Sequence, residues 1–225
     1  MVSFSQIHRS GRHLAVAAVF AGAMIVAGCS GSGDDQPGTT SRSGAAAPSG
    51  TAVPPGSGSR DLSGGGTCSA GEDIVIATVG ASPIISGDCG TISVSADKVR
   101  GNIESAAEVT ISGSDVTLLG ETWGTVTIEG AGSGTNVDRI DRLTLTAANT
   151  RVTGTHIGTA TVDGDGGTIN TDGIGTLTLN GDRSTIIVGG AIDRLEVHGS
   201  ANTVNWSEGA RRPATDTGKN NTYTR

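Results

Sequence analysis

The sequence predicts an all-β protein, a β-solenoid wound as a single-stranded parallel β-helix of about eight 17-residue rungs, and two observations carry that prediction. The first is a repeat. Val109-Thr110-Ile111 returns as Val126-Thr127-Ile128, Leu143-Thr144-Leu145, Ala160-Thr161-Val162 and Leu177-Thr178-Leu179 at a constant interval of 17 residues, and Leu195-Glu196-Val197 follows after 18. Run backwards, the same ruler reaches Ile92-Ser93-Val94 and, more faintly, Val75-Ile76-Ala77. The second is composition: 37 glycines, six prolines and five aromatic residues among 225 leave little for a conventional packed core, whereas small stacked turns need no more.

Taken in order, the chain begins with an export address. Residues 1–13 carry Arg9 and Arg12 and no acid, and Leu14 to Val26 is a nearly unbroken apolar run of 13 residues, too short to span a bilayer as a mature helix. Val26-Ala27-Gly28-Cys29 closes that run in an order that resembles the lipobox of bacterial lipoproteins. The resemblance implies a signal peptide over 1–28, cleavage before Cys29, diacylglycerol on its sulfur and an acylated N-terminus on the outer face of the cell membrane. The net charge is −7, and −9 once residues 1–28 are gone. An acidic chain repels phosphates, so a nucleic-acid partner is not expected.

Residues 29–66 read as the lipidated N-terminus and a flexible Gly, Ser and Pro linker, because this composition buries too little apolar surface to offset ordering the backbone. The solenoid domain is then expected over 67–225. Cys68 and Cys89 are the two cysteines left after Cys29, and in an exported protein they read as a disulfide at the first rung. A metal or redox pair lacks the CxxC spacing.

Within the repeat, positions are counted from the first strand residue as zero. Positions zero and two are apolar, and position one reads Ile76, Ser93, Thr110, Thr127, Thr144, Thr161, Thr178, Glu196, so period-two alternation places the first pair inside and this column outside. Position four reads Val79, Ala96, Gly113, Gly130, Ala147, Gly164, Gly181, Gly199 and marks a corner. Position nine (Ile84, Gly101, Leu118, Thr135, Val152, Ile169, Ile186, Val204) and position fourteen (Cys89, Ala106, Trp123, Ile140, Ile157, Ile174, with Ile192 one step late) give two further inward columns. Three inward columns separated by corners make a three-sided coil. Its ends are open strand edges that need covers. The disulfide serves at the start, and Trp206 with the tail through Tyr223 at the finish.

The tail also carries a family likeness. Gly199-Ser200-Ala201-Asn202-Thr203-Val204-Asn205-Trp206, then Asp216-Thr217-Gly218 and Asn220-Asn221-Thr222, resembles the C-terminal repeats of small exported actinobacterial proteins known as a domain of unknown function. The likeness is close over 199–222 and looser over 74–198. It implies the repeat fold and the export address, and no site residues.

Candidate chemistry competes with turn chemistry. Asp163-Gly164-Asp165-Gly166-Gly167 looks like a calcium loop but lacks the spacing of calcium-binding β-rolls and of EF-hands, and Asp before Gly is what a corner requires. Asp163, Asn180 and His198 fall in one column, at position three, on successive rungs. No catalytic residue, metal or cofactor is assigned. Asp163, Asp165 and His198 are the residues a cation would have to use. Asp138 and Asp141 are paired carboxylates without a cleft to raise either pKa, and His156 reads as a solvated loop residue. The Thr-x-Thr rows at Thr125 and Thr127, Thr159 and Thr161, and Thr176 and Thr178, continued by Thr110 and Thr144, resemble ice-binding solenoids, though Glu108, Arg142, Arg194 and Glu196 interrupt them. The expected function is a non-catalytic, membrane-anchored solenoid with a structural role or an envelope protein or glycan partner. The alternatives are a metal-dependent or carbohydrate-active envelope enzyme on the Asp163 to His198 face, and an ice-binding Thr ladder.

Overall fold

The computed structural model describes residues 58–225; the expected signal peptide, Cys29 and the linker as far as residue 57 lie outside the described residues. Fourteen strands form a single sheet that coils on itself for about ten turns, with every neighbouring pair parallel and no helix among the described residues. The fold is the β-solenoid that the repeat predicts. Its regular part is the stack of Arg100–Ile111, Thr117–Ile128, Gly134–Leu145 and Arg151–Val162, in which Arg100 lies against Thr117, Thr117 against Gly134, and Gly134 against Arg151. Each rung hands its backbone hydrogen bonds to the next, so no turn is complete alone.

The inward columns are filled as the period requires. Val109 and Ile111, Val126 and Ile128, Leu143 and Leu145, Leu177 and Leu179 are all fully buried at positions zero and two. Position fourteen is buried from Cys89 to Ile192, with Trp123 the largest side chain in it. Position nine is buried from Leu118 to Val204. Two further inward columns escaped the sequence reading. Position eleven holds Ile103, Val137, Thr171, Val188 and Trp206, and position seven holds Val99, Val116, Ser133, Thr150, Ser184 and Asn202, all buried.

Five expectations are corrected. There are about ten turns rather than eight, since Arg60–Asp61 pairs with Ile74 and Val75 at one end and Thr222–Thr224 pairs with Thr203 to Asn205 at the other. Among the described residues the first strand is Arg60–Asp61, inside the stretch expected to be linker; Leu62 beside it is buried in the core and Arg60 is held by Glu72. The first repeat copy is Ile74-Val75-Ile76, in register with Ile92, Ser93 and Val94, so Ile76 points inward and the interval there is 18. An irregularity between Ile85 and Asp88 absorbs the extra residue: Ile85 pairs with Ile103 and goes inside, while Ile84, expected inside, stands 74% exposed. Val79, assigned to the position-four corner, is likewise exposed at 67%.

The corners explain the turn residues. At position six the backbone is left-handed in nine successive turns: Gly80, Lys98, Asp115, Gly132, Asn149, Gly166, Arg183, Ala201 and Asn220, with φ between 57 and 70°. Its N–H reaches forward to the next rung, as from Lys98 to the Ser114 carbonyl at 2.9 Å, whereas the preceding corner N–H groups reach back, as from Gly113 to the Val94 carbonyl at 3.1 Å. The two directions lock adjacent turns. Position four is glycine for a packing reason, since a Cβ at Gly130 would fall on the Gly113 carbonyl oxygen and one at Gly199 on that of Gly181.

The tail motif becomes legible on this frame. Asn202 at position seven accepts from the Ser184 N–H at 2.7 Å through Oδ1 and donates to the Gly181 carbonyl at 3.0 Å through Nδ2. Asn221, one turn on, repeats this with the Asn202 N–H at 2.9 Å and the Gly199 carbonyl at 3.0 Å. Asparagine there replaces hydrogen bonds that a corner cannot make with its own backbone. At the opposite end Cys68 and Cys89 are bonded, with Cα atoms 5.3 Å apart.

Candidate functional site

Side chains that alternate outward from the columns form three lateral faces, and each has its own chemistry. The first, at positions minus one and one, carries the predicted Thr rows. Thr110, Thr127, Thr144, Thr161 and Thr178 do stack in register, and the neighbouring row runs Glu108, Thr125, Arg142, Thr159, Thr176, Arg194. Arg194 is bound to Glu196 on the same face.

The third face, between positions twelve and fifteen, is acidic. Glu104, Glu121 and Asp138 occupy position twelve on successive rungs, with Asp172 farther along, and all are exposed. Asp141 is engaged by Arg139 at 3.0 Å, so the pair of carboxylates named from sequence is split between an ion pair and solvent. His156 is exposed, as expected, but it lies within the strand Arg151–Val162 rather than in a loop, and with Asp172 and Asp193 it borders a hollow of about 370 Å³ that opens where Gly173 and Gly175 lack side chains.

The corner residues proposed for a cation sit as follows. Asp163, Asn180 and His198 do stack on successive turns at position three. Asp163 Oδ1 accepts from Asn180 Nδ2 at 2.7 Å, and His198 Nδ1 lies 3.2 Å from the Thr217 hydroxyl. Asp165 lies beyond the corner at position five, where it accepts from the Asp182 N–H at 2.9 Å and pairs with Arg183 at 2.8 Å. The Asp182 N–H, then the Arg183 charge, hold its carboxyl below the usual range. Each acid is thus used by a neighbouring rung, and Asn180 turns an amide donor toward Asp163. That is a poor donor set for a cation. Among the described residues no three His, Cys, Asp or Glu side chains gather as metal ligands.

The second face, at positions eight and ten, was not anticipated. In register, one row runs Arg100, Thr117, Gly134, Arg151, Thr168, Thr185, Thr203, Thr222. The other runs Ile84, Asn102, Leu119, Asn136, Thr153, Asn170, Ile187, Asn205, Thr224. Neither row contains an acid, in a chain with 22 of them. Of the four exposed large apolar side chains among the described residues, three, Ile84, Leu119 and Ile187, lie in the second row. Arg100 and Arg151 are exposed and take part in none of the salt bridges among the described residues.

Three hollows run along this face and share Thr117 in their walls. One of about 560 Å³ is bounded by Pro83, Ile84, Arg100 and Leu119; a polar one of about 610 Å³ lies between Lys98, Arg100 and Asp115; a third of about 390 Å³ lies between Asn136, Arg151 and Thr153. A glycine opens the third: at Gly134, an outward position, a Cβ would run into the Arg151 carbonyl oxygen, so the position stays bare. A count of charge by repeat position would have found the acid-free face. The Ile84 wall of the first hollow depends on the local irregularity after Ile85, which had no sequence signal.

No family model matches the chain, and no curated protein or solved structure matches it.

Proposed function

We propose that the chain is a membrane-anchored envelope lipoprotein whose solenoid is a non-catalytic scaffold, displaying a lateral face to a partner in the cell envelope. One observation carries the display reading: the inward columns are packed with side chains while adjacent turns pair strand to strand, so chemistry is offered on the outer faces. The run Val26-Ala27-Gly28-Cys29 supports the anchor, and the likeness of residues 199–222 to exported actinobacterial proteins supports the address. Several acyl chains would hold the protein firmly where a single chain is marginal.

Metabolic labelling with a fatty-acid analogue tests the anchor. The wild-type chain is expected to take up label and fractionate with membranes, and Cys29→Ala to lose the label; an unlabelled, membrane-free wild type rejects it. The enzyme or metal reading draws on the stacking of Asp163, Asn180 and His198. Thermal stabilisation by divalent cations that vanishes in Asp163→Ala would replace the scaffold reading with that one. Thermal hysteresis of freezing would do the same for the Thr rows of the first face.

A further inference from the structure

The acid-free face has a shape and a charge that select a ligand. Arg100 and Arg151 stand three rungs apart in one row, roughly 14 Å at about 4.8 Å per rung. Between them the trough floor passes Thr117 and the bare Gly134, and its far wall is Asn102, Leu119 and Asn136. The one carboxylate at its edge, Asp115, shares a hollow with Lys98. Such a groove presents hydroxyl and amide groups at a regular spacing, an apolar strip, and a guanidinium at either end that matches carboxylate or phosphate in a bidentate fashion.

We propose that this trough binds an acid-bearing oligosaccharide lying along the solenoid axis, with Arg100 and Arg151 taking its acid groups. Asn102, Asn136 and Thr117 bond its hydroxyls, and Leu119 packs on a sugar face. The proposal rests on the display reading and names its partner.

A peptide fits less well. An extended chain binds a sheet through free edge hydrogen bonds, and the strands on this face are paired on both sides between Arg100 and Thr153. A bilayer fits less well too, because the surface is concave between the arginines and the exposed Leu119 and Ile187 are four rungs apart.

The test uses the mature full chain in neutral detergent micelles, titrated with a galacturonate hexamer, a phosphorylated mannose hexamer and an uncharged glucose hexamer. Anionic phosphatidylglycerol vesicles and polyglutamate serve as rival ligands. Saturable binding of an acidic hexamer is expected, weakening with salt, at least tenfold tighter than the neutral one. Arg100→Glu and Arg151→Glu should each reduce it tenfold or more, and Arg142→Glu on the first face should leave it within twofold. All three substitutions are at exposed positions, and melting curves check that the fold survives. The proposal is overturned if neither acidic hexamer binds, if the neutral one binds equally, or if the reversals have no effect. It is equally overturned if vesicles or polyglutamate bind more tightly with the same arginine dependence. Intact mass on the same preparation reports acylation of Cys29. Glycan bound by an unacylated chain would therefore sink only the anchor, and an acylated chain that ignores glycan only the groove.

Discussion

The first turns of the coil and the last meet the same physical problem, an open stack of strands, with different chemistry. At the start the Cys68–Cys89 bond and the clamp of Arg60 on Glu72, at 2.7 and 2.9 Å, tie the opening turn to its neighbour, and position seven is filled by Val99 and Val116. At the finish there is no covalent tie. Asn202 and Asn221 form a ladder at position seven, Tyr223 meets Trp206 edge-on with ring centres 6.4 Å apart, and its hydroxyl donates to Asp216 at 2.8 Å. The contrast teaches that the aliphatic and asparagine versions of one turn do the same geometric task. One leaves cohesion to apolar burial and a cross-link, and the other writes it into directional hydrogen bonds.

Removing the cross-link should have the largest effect on this contrast. Cys68→Ser with Cys89→Ser is expected to cost about 3 kcal/mol for a loop of 21 residues, measured by urea unfolding. Native-state hydrogen exchange should show the loss confined to the turns before Ile92. Uniform weakening would mean that the two ends are not independent.

Asn202→Ala comes next, at roughly 2 kcal/mol, because it strands the Ser184 N–H and the Gly181 carbonyl. Here exchange should rise from Ser184 onward and leave the first turns protected.

Titration separates the ends by sign. The Ser69 N–H, then Arg60, hold the Glu72 carboxyl below its usual range. The folded pKa is lowered, so the contribution is present above the ordinary glutamate value of about 4.3 and is lost as pH falls through the folded value. Burial, then Asp216, push the Tyr223 phenol up. Its contribution is complete below the ordinary value of about 10 and is lost as pH rises through the folded one. Acid should therefore fray the start and alkali the finish. Trp206 fluorescence should change above about pH 10 in the wild type and not in Tyr223→Phe; a change common to both would detach the effect from the phenol.

The smallest effect lies at the changeover between the two versions. Thr150 at position seven is buried and its hydroxyl has no hydrogen-bond partner, whereas Ser133 one turn earlier accepts from the Val116 N–H at 3.0 Å and donates to the Gly113 carbonyl at 2.9 Å, and the turns before that carry Val116 and Val99. Thr150→Val should stabilise by about 1 kcal/mol in thermal unfolding, by removing an unsatisfied group without changing shape. Destabilisation would mean that the hydroxyl has a solvent partner.

Much of this was legible in the sequence because side-chain type repeats wherever burial dictates it. Positions zero, two, nine and fourteen, the glycine corner and the cysteine pair follow from apolarity, size and spacing alone. Position six did not, since Lys98, Asn149, Arg183 and Ala201 share a backbone angle and no side-chain chemistry. Ile84 misled for the opposite reason: its apolar side chain signals burial, and a local irregularity turns it outward. The opening strand Arg60–Asp61 was hidden in linker-like composition, its place fixed by Leu62 and by partners farther along the chain. The acid-free face was obscured because its rows interleave with the inward position nine, and an outward row announces itself only by what it lacks.

The uninterrupted 17-residue register from Arg100 to Leu179 separates the length of the rod from the character of its ends. A tandem copy of one middle unit would slot in like an extra stair, carrying the tip roughly 4.8 Å farther from whatever holds the base. Reach is then a quantity that simple duplication tunes, one step at a time, without redesigning either terminus.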